Sequence, residues 1–174
     1  AAGVSANPNA SGRFSYTGWP LGAIDGEDDH SLYSGALSPF SYYEVKISVL
    51  PGYTLNLQQI SFGVRRSGTG IRHFSVRSDV DSFTSNLAAS TGTNSKLMVL
   101  PDNVFFWTQD NTSTTSDQKG SFVTPGTAYH NITGSVAFRF YAWNAEAASG
   151  SGSPVDVRAP SSRLASSETP RTRA

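Results

Sequence analysis

Four acidic residues, Asp25, Glu27, Asp28 and Asp29, crowd a short segment around Gly26. Hard cations draw several oxygens from a flexible loop, so calcium is the one cofactor this segment suggests, and no other is expected. The spacing is not that of an EF-hand, which alternates acidic positions about a central Gly and ends on a distal Glu. A solvated acidic loop is the plainer reading. Asp79 and Asp81 form a second acidic pair two residues apart. A glycosidase sets two carboxylates roughly 5–9.5 Å apart across a cleft, whereas acidic residues in a turn-rich stretch more often cap backbone N–H groups. His30, His73 and His130 lie far apart and are expected at the surface or in turns. There is no Gly-x-Ser-x-Gly elbow, His-Glu-x-x-His pair, phosphate loop or dinucleotide fingerprint. Without cysteine there are no disulfides and no Cys-ligated metal. The expectation is a protein that is not an enzyme and has no catalytic residues.

A second constellation suits binding rather than catalysis. Arg65, Arg77, Arg139, Tyr141 and Trp143 alternate with apolar residues in three extended segments, so each is expected to point away from the core. On neighbouring strands they would form an aromatic and guanidinium face, suited to stacking on sugar rings or to packing on another subunit. The alternative is that a second sheet or a loop covers Tyr141 and Trp143 and makes them ordinary core.

The elements that must carry these residues are strands. No window keeps apolar positions at helical spacing. In residues 43–49 the odd positions Tyr43, Val45, Ile47 and Val49 are apolar and the even ones polar. Pro51-Gly52 marks a turn, and a strand through Tyr53, Leu55 and Leu57 slips phase at Gln58-Gln59, as at a bulge, before Ile60, Phe62 and Val64. A turn at 67–70 leads to a strand over 72–78 with Phe74 and Val76 inward. Strands follow at 96–100 and 104–108, then a polar surface loop at 110–120. The clearest late strand, 135–143, holds Val136, Phe138, Phe140 and Ala142 on one face. Short strands punctuated by Gly and Pro describe an all-β protein, an antiparallel sandwich or jelly roll.

Composition bounds the setting. Thirteen basic residues balance thirteen acidic ones, so no nucleic-acid partner is expected. No apolar run approaches the roughly 18 residues of a membrane helix, so no span is expected. Serine and threonine supply 27 and 15 of 174 residues, and lysine only three, a balance typical of extracellular proteins. The small residues that follow Ala1 read as the start of an exported chain whose signal peptide has been removed. Three segments are expected: an extended 1–12, a sandwich over 13–144, and a Ser/Ala/Pro-rich tail over 145–174. The tail lacks aromatics and cannot bury enough apolar surface to fold alone, apart from one short strand at 155–157. Val155 and Val157 there could add a strand to the open sheet edge of a neighbouring copy.

The run Tyr53-Thr54-Leu55-Asn56-Leu57, then Ile60-Ser61-Phe62, then Arg65-Arg66-Ser67-Gly68-Thr69-Gly70, then Phe74-Ser75-Val76-Arg77-Ser78, resembles secreted bacterial β-sandwich domains found in surface proteins of the PEP-CTERM type. Gly134-Ser135-Val136-Ala137-Phe138-Arg139-Phe140-Tyr141 is similar to that family's penultimate strand, and Trp19 and Glu44 stand where it has its opening turn and first long strand. The likeness covers about residues 15–144. Ser153 to Val157 is a poor copy of the closing strand, and no Val-Pro-Glu-Pro motif follows. The resemblance implies a jelly-roll fold and an extracellular-matrix setting, and brings no activity with it. Together these readings lead to an expected secreted, self-associating structural subunit of a filament, layer or matrix, hence a homo-oligomer or polymer. A carbohydrate-binding module with a polysaccharide partner is the alternative, and a jelly-roll hydrolase a distant third.

Overall fold

Phe62 of one sheet meets Phe74, Phe105 and Phe140 of the other edge to face, with centroids 6.2, 5.6 and 5.4 Å away, and these contacts join two antiparallel sheets into a sandwich. The computed structural model describes residues 1–8, 14–110 and 115–158, of which 118–119 and 153–158 by backbone path alone. The strands are β1 (Ser5–Ala6), β2 (Tyr16–Thr17), β3 (Tyr42–Ser48), β4 (Ile60–Arg66), β5 (Ile71–Ser78), β6 (Ala88–Ser90), β7 (Leu97–Leu100), β8 (Val104–Trp107), β9 (Thr115–Thr124), β10 (Ser135–Ala145) and β11 (Gly152–Arg158). One sheet runs β1-β2-β11-β4-β9-β6 and the other β3-β10-β5-β8-β7. The fold is all-β, as the alternation predicts.

The inward phases hold. Phe62, Val64, Phe74, Val76, Phe138 and Phe140 are buried together, with Val45 and Ile47 partly buried against them because β3 is an edge strand. The interior is closely filled: the void beside Trp19, Tyr43 and Trp107 measures about 10 Å³, room for one water at most.

Several local expectations need correction. Tyr53, Leu55 and Leu57 make no strand but one bridge, Leu55 to Ile132. At Gln58-Gln59, between the buried Leu57 and Ile60, the chain is not strand, and a separate irregularity lies between Phe62 and Val64, where one residue of β4 faces three of β9. The polar stretch after Asp110 is no surface loop in its second half. Its residues enter β9, where Thr115, Asp117 and Ser121 are buried, because a paired backbone makes a strand without apolar side chains.

The closing segment also differs. The short strand at 155–157 is the middle of the longer β11, and its backbone lies between β2 and β4 of the same chain. Val157 pairs with Phe62, and the register shifts around Val155, between Pro154 and Asp156. The slot that Val155 and Val157 were expected to fill in a neighbour is thus filled within this chain. Residues 159–174, 9–13 and 111–114 lie outside the described part.

Candidate functional site

Two groups of arginines, carboxylates and rings stand near opposite ends of the five-stranded sheet. The first lies on its outer face. Pairing aligns Glu44 of β3, Arg139 of β10 and Arg77 of β5 in one row across the strands. Arg139 Nε donates to Glu44 Oε2 at 2.8 Å, and its guanidinium lies over the Tyr42 and Phe83 rings, 4.1 and 3.7 Å from their centroids. Arg77 Nε donates to Asn86 Oδ1 at 2.7 Å and Nη1 to the Phe83 carbonyl at 3.2 Å.

This arrangement corrects the expected platform. Tyr141 is only 2% exposed, held beside Tyr42 and under the Arg77 guanidinium. Trp143 is 8% exposed and stacks on His73, which in turn meets Tyr33. Both rings are buried, as the alternative reading has it, Tyr141 under Tyr42 and Arg77 and Trp143 against His73. Arg65 belongs elsewhere: its strand β4 is in the other sheet, between β11 and β9. Beside the covered rings, however, an open groove of about 480 Å³ runs between Arg77, Thr84, Asn86, Asp102, Asn103 and the margin of Trp143. Asn86 Nδ2 donates to the Asp102 carbonyl, and Asn103 Oδ1 accepts from Ala89 N–H, so the amides of its wall are fixed.

The second group is buried where four segments converge. Arg66 ends β4 and Arg72 follows the start of β5, so both flank the turn at 67–70. Asp110 lies just after β8 and Glu146 just after β10. Asp25 and Asp28 come from the long β2–β3 connection. That loop is docked by a close approach at Gly22, whose φ is +147°. A Cβ there would stand 2.1 Å from Gly35 N and 2.4 Å from Asn144 Oδ1. Gly35 N–H donates to Asn144 Oδ1 at 2.8 Å, and Asn144 Nδ2 lies 2.9 Å from His73 Nδ1, which makes that nitrogen the acceptor.

The side chains of Arg66, Arg72 and Glu146 are fully buried and that of Asp110 is 8% exposed. Arg66 Nη2 meets Glu146 Oε1 at 2.6 Å and Asp110 Oδ1 at 3.2 Å. Arg72 meets the same Glu146 oxygen at 3.4 Å and Asp28 at 2.9 Å, and donates to the Glu27 and Trp107 carbonyls. Asp110 Oδ2 accepts from Gly26 N–H at 2.5 Å. Burial pushes the Glu146 carboxyl up to about 7 despite both guanidiniums. Its Oε2 makes no hydrogen bond.

The four acidic residues of the loop separate. Asp29 accepts from the Ser31 hydroxyl and, capping the turn His30–Leu32, from Ser31 N–H, and these two bonds lower its pKa. Glu27 Oε1 accepts from Asp29 N–H, and Asp28 serves Arg72. Only Asp25 joins a triplet, one carboxylate oxygen each from Asp25, Asp110 and Glu146 lying within 4.8 Å of one another. Calcium binding by all four has no support in this geometry. Asp79 and Asp81 sit in a capped turn, as the spacing predicts. His30 and His130 are exposed, but His73 is buried, and desolvation lowers its pKa to about 3.

No family model, no curated protein and no solved structure matches the chain.

Arg66, Arg72, Asp110 and Glu146 make a buried ion-pair cluster that sequence reasoning did not single out. One signal was available. Arg66 shares the phase of Phe62 and Val64, and Arg72 that of Phe74 and Val76, so each occupies an inward position where a charge needs a buried partner. Nothing local marks Asp110 or Glu146 as those partners, since they lie 44 and 80 residues from Arg66.

Proposed function

We propose that this protein is a secreted, non-catalytic binding module whose groove beside Arg77 and Trp143 takes a polyhydroxyl chain of the polysaccharide class. The observation that carries the reading is the groove itself. Its 480 Å³ suits a small ligand or a few sugar units. Its walls combine a guanidinium, two side-chain amides, a carboxylate, hydroxyls and an indole margin, the mixture that hydrogen-bonds and packs against sugar. Arg77 is held by Asn86 and Phe83, so it meets a ligand without first losing side-chain freedom. Asp102 is the one carboxylate among the residues lining the groove, and glycoside hydrolysis takes two, which favours binding over cleavage. The Ser/Thr-rich composition supports an extracellular setting.

The test is retention on a panel of insoluble polysaccharides, with Arg77→Gln and Asp102→Asn as variants and circular dichroism to confirm folding. Both folded variants should lose retention. A wild type that binds no member of the panel, or variants that bind as well as it does, would remove the reading.

One observation favours a second reading, self-association. β7 closes its sheet with Leu97, Met98, Val99 and Leu100, an edge without charge or proline, and Met98 is 43% exposed. The other edges are blunted: β1 and β6 are short, and β3 carries Glu44 and Lys46. A second copy pairing at β7 would give a polymer or dimer, and Met98→Lys should then abolish assembly in light scattering.

A further inference from the structure

We propose that Asp25, Asp110 and Glu146 form a binding site for a divalent calcium-class cation that ties the β2–β3 loop to the end of the sandwich. The three carboxylates come from three distant segments, and one oxygen of each lies within 4.8 Å of the others. Oxygens on opposite sides of a bound calcium stand about 4.6–5.2 Å apart, twice its usual bond length, whereas magnesium brings them to about 4.0–4.2 Å. The bound of 4.8 Å leaves room for a calcium-class ion among the three carboxylates. The donors are all oxygen, with no sulfur or imidazole in the triplet, which is the chemistry of a hard cation.

A second observation points to a ligand. The Glu146 side chain is fully buried, and its Oε1 is spent on both arginines while Oε2 has no partner. A buried carboxylate oxygen without a donor is costly, and a cation is the partner that two neighbouring carboxylates also want. The charge balance agrees. Arg66 and Arg72 supply two positive charges against four negative ones from Asp25, Asp28, Asp110 and Glu146, and one divalent ion offsets the difference. The arginines engage Glu146 Oε1 and Asp110 Oδ1 and leave Glu146 Oε2 without a hydrogen bond. Asp25 is exposed, which gives the site an entry from solvent, where water completes the shell.

The consequence is local order. Asp25 sits in the same loop that lays Tyr33 and His30 over His73 and Phe106, so the ion would fasten the cover of the outer face. Extracellular calcium modules hold the ion with dissociation constants of about 10⁻⁴–10⁻³ M. At 100 times that constant, calcium should raise the unfolding midpoint of the chelator-stripped protein by roughly 5–10 °C.

The experiment is thermal unfolding and limited proteolysis of the full chain after EDTA, with calcium or magnesium chloride added back. Calcium should raise the midpoint and protect the loop, and magnesium should do markedly less. Asp25→Asn removes an exposed ligand without touching the arginines. It should not lower the ion-free midpoint, since it relieves repulsion among the carboxylates, while weakening the calcium response by about tenfold or more for the loss of one of three charged ligands. Glu146→Gln should also abolish the response where it folds; Asp25→Asn keeps the test decisive where it does not. No calcium response up to about 10 mM, well above the range of such modules, or an Asp25→Asn response equal to wild type, would overturn the proposal.

Discussion

The sealed end of the sandwich and its open groove use the same chemistry under different solvation. At the sealed end Arg66, Arg72 and Glu146 have no side-chain exposure. On the outer face Arg139 and Glu44 keep 25% and 35% of theirs. Coulomb attraction at equal distance is several times stronger away from water, but so is the cost of leaving one charge alone. The sealed group therefore behaves as a unit that must be complete, and the outer pair as an adjustable surface. Access follows the same division: the groove is open to solvent, whereas the side chains of Arg66, Arg72 and Glu146 are not.

The comparison can be broken most severely at β11. Gly152 pairs with Arg66, so this strand supports the β4 end that carries the buried guanidinium. Truncation before residue 152 should give a protein that does not fold, while truncation after 158 should leave it folded, as read by circular dichroism and urea unfolding. Equal behaviour of the two would mean β11 contributes nothing to the sealed end. Next in size is Arg66→Ala, which strands Glu146 and Asp110 in a buried site. It should cost about 3–5 kcal/mol in denaturant unfolding, the usual penalty for breaking a buried pair. A loss near 1 kcal/mol would place the cluster with ordinary surface pairs.

His73 sharpens the contrast through pH. Burial, and after it the charges of His30 and Arg72, favours the neutral ring of His73, which stacks on Trp143, accepts from Asn144 and meets Tyr33 and Phe106. Its pKa falls from 6.5 to about 3, so between those values the unfolded chain binds a proton that the native state refuses. Stability from this group is complete above 6.5 and declines as pH falls, by about 1.4 kcal/mol per unit, or about 2 kcal/mol from pH 6.5 to 5. Glu146 works oppositely, because its raised pKa makes native stability fall as pH rises from 4.5 to about 7. Comparing wild type with His73→Phe, which keeps the stack and removes the titration, isolates the histidine. The variant should show a flatter acid limb, and parallel curves would mean that His73 is protonated in the native state.

Much of the fold is legible in the sequence because period-two alternation reports burial directly. Phe62, Val64, Phe74, Val76, Phe138 and Phe140 announce both inner faces. What is not legible depends on partners remote in the chain. β9 has polar residues throughout its first half and is a strand only because β4 and β6 pair with it. Trp143 reads as outward, correctly, but whether the outward face meets water depends on a loop more than a hundred residues earlier. The buried cluster was half visible. Arg66 and Arg72 stand in apolar phase, a pattern that demands counter-charges, while Glu146 sits in a segment whose composition resembles a disordered tail. Asp25 and Asp28 both tie the acidic loop to that cluster.

The smallest expected effect is on the outer row. Glu44→Gln removes the charge that Arg139 Nε meets at 2.8 Å, but both side chains are partly solvated and the guanidinium keeps its place over Tyr42 and Phe83. Water replaces much of the lost attraction, and the glutamine oxygen still accepts a hydrogen bond. The loss should be about 0–1 kcal/mol in low salt and shrink further at about 1 M, where screening reaches within about 3 Å. The same salt change should scarcely alter the cost of Arg66→Ala, since the buried charges lie beyond the reach of counter-ions. Urea unfolding of both variants at the two salt concentrations measures this directly. A Glu44→Gln cost above about 2 kcal/mol, insensitive to salt, would show that the outer face is as sealed as the cluster, and the groove beside it would then be closed to any ligand.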